Sequence, residues 1–125
     1  MRNTLIACLA ALLVACATDI QRIPSAEPTL VAGTPASSFQ LAADTPFELH
    51  TGYVRTLKSG SRWTLVGGIA QGLVYRPDGS VLTVGGANVH EAYLVVAGTE
   101  LVGFYLPVEK AFVALTPRRV LPIRQ

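Results

Sequence analysis

Ala92-Tyr93-Leu94-Val95-Val96-Ala97-Gly98-Thr99-Glu100-Leu101-Val102-Gly103-Phe104-Tyr105-Leu106 is the stretch on which the fold turns. Two nearly continuous apolar runs flank Ala97-Gly98, a turn pair. Tyr, Val and Phe suit a pleated backbone, and strands apolar at successive positions are covered on both faces. Working outward, further short runs of the same character fall at 47–55, 62–67, 73–75, 81–84 and 112–115. Ser59-Gly60, Gly67-Gly68, Pro77-Asp78-Gly79 and Gly85-Gly86 separate them. In Pro77-Asp78-Gly79, proline presets φ, Asp78 bonds locally and Gly79 accepts positive φ, so a hairpin joining 73–75 to 81–84 is expected. No stretch carries a helical stripe; Pro107-Val108-Glu109-Lys110 has the makings of a single turn. The pattern predicts an all-β domain at 41–125, a small antiparallel barrel of SH3-like size or a sandwich. Trp63, with Leu65 on the same face, is the expected core anchor.

Upstream the character changes twice. Residues 16–40 contain Pro24, Pro28 and Pro35 among Ser, Thr, Ala and Gly, with no sustained period, and read as a flexible tether. Ile20, Ile23, Leu30 and Val31 are the exceptions, apolar enough to pack on the domain or a partner. Residues 1–15 have Arg2 and the amino terminus in front of an apolar run at 5–15. A bilayer of ~30 Å needs roughly 20 apolar residues in a helix, so this run has the length of a signal-peptide core.

The run ends in Leu13-Val14-Ala15-Cys16. This resembles the lipobox of bacterial lipoproteins: an aliphatic residue, a small or β-branched one, a small one, then cysteine. The resemblance covers four residues and their upstream context. It implies a diacylglycerol on the Cys16 thiol, cleavage between Ala15 and Cys16, and acylation of the new amine. An ordinary signal cleaved after Ala17 is the competing reading, since Ala15-Cys16-Ala17 also fits the small-x-small rule. The body at His90–Val96 and Leu101–Glu109 loosely resembles small envelope lipoproteins of Gram-negative bacteria, which brings no activity with it. Membrane attachment through the lipid is therefore expected. Asp directly after the lipidated cysteine marks inner-membrane retention in the enteric pattern. Ala17 stands there instead, and the expected location is the periplasmic face of the outer membrane.

The remaining chemistry is sparse. The chain has two cysteines; Cys8 lies in the signal and Cys16 carries the lipid, so no thiol or disulfide remains for the domain. Ten Lys and Arg, of which Arg2 precedes Cys16, stand against eight acids, and no basic cluster exceeds Arg118 and Arg119; nucleic acid is not an expected partner. His50 and His90 lack a third ligand at metal spacing, so neither metal nor other cofactor is expected. Glu91 and Glu109 are the carboxylates with suggestive surroundings, yet they read more simply as a solvent-facing strand end and a turn ion pair with Lys110. No Gly-x-Ser-x-Gly or phosphate-cradling glycine loop occurs. The expectation is a non-enzymatic accessory or binding module, with a small-ligand or peptidoglycan-fragment binder as the alternative. Because 92–106 is apolar on both faces, Tyr93, Val95, Val102 and Tyr105 are the expected contact surface for another envelope protein or a second copy. Lipidation is directly testable: wild type should incorporate labelled palmitate and fractionate with membranes, and Cys16→Ser should do neither.

Overall fold

A computed structural model describes residues 19–124. The eleven strands are β1 (Ile23–Pro24), β2 (Ser38–Leu41), β3 (Thr45–Glu48), β4 (Val54–Leu57), β5 (Arg62–Ile69), β6 (Gly72–Pro77), β7 (Leu82–Gly85), β8 (Val89–Ala97), β9 (Glu100–Leu106), β10 (Ala111–Val120) and β11 (Ile123–Arg124). Among the described residues there is no helix, and every pairing is antiparallel. The protein is all-β, as its composition of β-branched and aromatic runs dictates.

The main sheet has the order β1-β10-β9-β8-β6-β5-β2-β11, with β7 also on β8, and β3 and β4 form a separate hairpin. The two ends of this path do not pair with each other, so the SH3-like barrel is not formed and a sandwich-like arrangement stands in its place. The end strands suit that outcome. Each has two residues, and Pro24 has no N–H to offer a further strand.

β8 and β9 are the centre. β9 is paired by β8 and β10, and β8 is paired on its other edge by β7 over Val89–Ala92 and by β6 over Leu94–Val96. This serial use of one long strand explains why Pro77-Asp78-Gly79 does not close the expected hairpin. β6 and β7 follow one another along β8 instead of pairing together. The turn is an excursion between them, held to β5 where the Asp78 N–H donates to the Arg62 carbonyl and the Thr64 hydroxyl donates to Asp78. The expected strand at 47–55 is likewise two strands: the chain reverses through Thr51 and Gly52, with the Leu49 N–H on the Tyr53 carbonyl.

Side chains of β8 and β9 divide between two apolar clusters. Leu94, Val96, Leu101, Phe104 and Leu106 enter the larger one, which is covered by the β3–β4 hairpin; the Phe47 and Phe104 rings lie 4.8 Å apart. Val95, Val102 and Tyr105 join Val74 and Phe112 in the smaller one. Strict alternation does not sort them this way. Val95 pairs with Gly103 but Val96 with Leu101, so Val102 is an extra residue in β9 and shifts the alternation after it. Gly103 has a packing reason: a Cβ there would fall on the Val113 carbonyl oxygen and 2.7 Å from the Phe112 ring, so the missing side chain makes room for β10 backbone and ring together.

The segment expected to be a free tether is laid against the domain, because the sheet leaves apolar surface for it to cover. Ile20 is in the larger core, Ile23 pairs with Phe112, and Thr29 exchanges two backbone hydrogen bonds with Gly68 of β5. On the way, the run passes the smaller cluster. The backbone of Pro28 and Thr29 lies 2.7–2.9 Å from where a Cβ on Gly67 would be. Gly67 is paired with Val74, a member of that cluster. Phe39 is also buried, in β2, so the folded unit begins well before residue 41. Leu30 and Val31 remain exposed.

Trp63 is 3% exposed, and its indole N–H donates to the Ser61 hydroxyl at 3.0 Å. Trp63→Ala should cost about 3–5 kcal/mol, out of a total of about 5–15 kcal/mol for a domain of this kind. A lower urea midpoint at an unchanged m-value, corresponding to that loss of free energy, is the expected result, and a midpoint like that of wild type would contradict the burial.

Candidate functional site

His90 occupies an inward-facing position of β8, in step with Ala92 and Leu94. It is one of two polar side chains, with Thr45, buried among the described residues. A buried imidazole needs partners for both ring nitrogens. It has them: Nδ1 is 2.8 Å from Glu109 Oε2, and Nε2 is 3.4 Å from Asp19 Oδ1. An imidazolium can donate to both carboxylates at once, whereas a neutral ring donates to one of them.

Three parts of the chain meet here. Glu109 comes from the turn between β9 and β10, which closes as the Lys110 N–H donates to the Leu106 carbonyl at 2.8 Å. Lys110 has φ of 55°, in the left-handed region, and its ammonium pairs with Glu27 at 2.9 Å. The expected Glu109–Lys110 pair is therefore replaced by Glu109–His90. Asp19 comes from the N-terminal segment. Its Oδ1 also accepts the Ile20 N–H at 2.9 Å, and its Oδ2 takes the Asn88 amide at 3.3 Å and lies 3.9 Å from Arg22.

The electrostatics follow from these contacts. The hydrogen bond with His90 holds the Glu109 carboxyl below its ordinary 4.5, against burial, which pushes it up. Glu109 Oε1 is buried with no hydrogen-bond partner, which leaves the Oε2–His90 contact as the principal compensation for that carboxylate. Asp19 is lowered first by the Ile20 N–H, with Asn88 and His90 assisting and burial opposing. The second histidine serves the same segment: the Gln21 N–H donates to His50 Nε2 at 3.0 Å, which requires that nitrogen to be unprotonated. Both histidines of the chain thus hold residues 19–21, with Ile20 in the core between them.

Chemically the arrangement is a fastening. A carboxylate on Nδ1 is the orienting half of a catalytic histidine, but the Nε2 side, where a nucleophile would stand, is taken by Asp19. The two carboxylates approach opposite nitrogens of one ring and do not converge on a common point, and no metal-binding group of three occurs among the described residues.

The other residues singled out in the sequence fall elsewhere. Cys16 lies outside the described residues. Glu91 is exposed on β8, across from Thr83. Val95, Val102 and Tyr105 are buried, at 0%, 4% and 2%, and Tyr93 is half-buried against them, its ring 6.4 Å from that of Tyr105. The expected contact surface is therefore interior. Both edges of the β8–β9 pair are occupied by strands, and the N-terminal run lies close to the smaller cluster. Burial, with Glu27 assisting, raises the Tyr105 phenol above 10.0.

Asp19 is the residue that sequence reading missed. A usable signal was present in His90 itself, an imidazole in an inward position, which demands a partner, although the sequence does not say which. Comparison with protein families, curated proteins and solved structures finds no match to this chain.

Both carboxyls have lower pKa values folded than unfolded. The stability they contribute is complete above the ordinary carboxylate range and is lost as pH falls through their depressed values. Glu109→Gln should lower stability at neutral pH by about 1–3 kcal/mol. It should also flatten the decline expected of wild type below the ordinary 4.5 of Glu109. Urea unfolding across acid pH reads both, and an unchanged acid profile would rule out the assigned role.

Proposed function

We propose that the protein is a lipoprotein anchored through Cys16 to the periplasmic face of the outer membrane, where its β domain serves as a non-catalytic accessory module for another envelope component. The signal-like run at 5–15, the Leu13-Val14-Ala15-Cys16 box and Ala17 support the anchor and its location. The observation that carries the reading furthest is the fastening of Asp19. Two residues, Ala17 and Thr18, separate Cys16 from Asp19, a reach of at most about 10 Å. A domain fastened from Asp19 onward sits against the membrane it is anchored to, instead of ranging from it on a long tether. Such a placement suits a part that works beside a membrane-bound neighbour.

The alternative is a binder of a small ligand or peptidoglycan fragment. One observation favours it: an open cleft of about 300 Å³, with Phe39 and Tyr75 in its wall beside Ser37, Ser38 and Thr99. Phe39 is buried behind Tyr75, edge to face at 4.8 Å, so Tyr75 is the ring on which a sugar could lie.

In-cell crosslinking followed by mass spectrometry separates the two. The accessory reading expects one envelope protein recovered reproducibly with wild type and lost with Cys16→Ser. Recovery of glycan fragments alone would favour the alternative, and density-gradient migration with inner-membrane markers would overturn the location.

A further inference from the structure

We infer that the end of the domain carrying Val89 and Val108 is a lipid-contacting surface that rests in the headgroup region of the bilayer. The inference rests on the anchored reading above and adds the orientation in which the anchored domain sits. The register of β8 and β9 brings the start of one strand alongside the end of the other, so the β7–β8 and β9–β10 turns lie at one end of the sheet. The chain enters at that same end, because Asp19 is bonded to Asn88 and His90 of the first turn region, and His90 to Glu109 of the second. Val89 stands between Asn88 and His90, and Val108 stands next to Glu109; they are 64% and 75% exposed. Isolated exposed valines are ordinary on a protein surface. These two flank the point from which Cys16 is three residues away.

Charge does not select the occupant. Asp19 and Glu109 are engaged on His90, Glu27 and Lys110 satisfy each other, and Arg22 sits beside Asp19, while Glu91, two residues along β8 from Val89, is exposed. What selects it is the short link to Cys16, with the two valines as the apolar side chains beside it. A lipid attached at Cys16 cannot place the domain farther away than the two-residue link to Asp19 allows, so the surface nearest the link is the one presented to the bilayer.

The test supplies the anchor chemically. The chain from Cys16 onward is coupled through that thiol, its sole cysteine, to a maleimide lipid in vesicles of phosphatidylethanolamine and phosphatidylglycerol containing brominated phospholipids. Val89→Trp, Val108→Trp and Val120→Trp are compared; Val120 is 67% exposed at the far end of β10, and all three positions tolerate a larger side chain because they face outward. At Val89 and Val108 the added indole should lose roughly half or more of its emission to the bromine, as expected for a group about 5–10 Å into the headgroup–acyl boundary. At Val120 the loss should not exceed the small background of buried Trp63. Quenching at Val89 and Val108 no greater than at Val120 overturns the lipid-contacting surface. Absence of palmitate on Cys16 in cells overturns the anchored reading by itself and leaves the vesicle result to be judged separately.

Discussion

A β8–β9 pair that is apolar on both faces has to be covered twice, and this is the constraint from which the rest of the architecture follows. A chain of this length has limited material for a core, and it has no cysteine downstream of Cys16 to staple one. One face is covered conventionally, by the β3–β4 hairpin bringing Phe47 onto Phe104. The other face holds the smaller cluster, and the N-terminal segment runs along the sheet edges beside it while its Ile20 enters the larger one. Ile23–Pro24 completes the edge of β10, Thr29 does the same for β5, and Gly67 lets the backbone between them come close. Hydrophobic burial of roughly 25 cal/mol per Å² makes that recruitment worthwhile even for a proline-containing run with little structure of its own.

Recruitment of the segment accounts for the buried histidine. An N-terminal run docked only by scattered apolar contacts would fray, since chain ends are ordered only where they are tied down. Here the tie is polar and directional. Asp19 and Glu109 take the two sides of one imidazole, and Gln21 is fixed by the other histidine. A buried polar contact is no large source of net stability, because desolvation consumes much of the attraction. What it adds is register: Ile20 enters the core at one position, and the chain leaves the domain at one place.

The parts of this that could be read from sequence are those whose cause is local. Apolar runs at 92–96 and 100–106, the turn pairs around them and the burial of Trp63 all follow from side-chain type and spacing. What was not legible depends on partners far away in the chain. Asp19 and His90 are 71 residues apart, and nothing near either names the other. Glu109 is misleading in sequence because its neighbour Lys110 is an obvious partner, yet the left-handed backbone at Lys110 sends that ammonium to Glu27. Pro77-Asp78-Gly79 has good hairpin chemistry, but β8 is long enough to offer a better partner to both flanking strands. Prolines at 24, 28 and 35 signal a tether by every local criterion, and only the uncovered sheet explains why the segment is docked.

The pairing of β1 with β10 also bears on time. Ile23 emerges from the ribosome early, and its partner Phe112 is made 89 residues later. At synthesis rates of about 5–20 residues per second, that interval is on the order of ten seconds. Until it ends, Ile20 and the run behind it have no finished sheet to dock on, and the apolar surface they will cover is bare or not yet made. Contacts so distant in sequence are also the slowest to close once the chain is complete. The first residues of the domain to be synthesised are thus among the last to find their place. The nascent chain therefore has a long interval in which another protein can hold it before the fold seals itself.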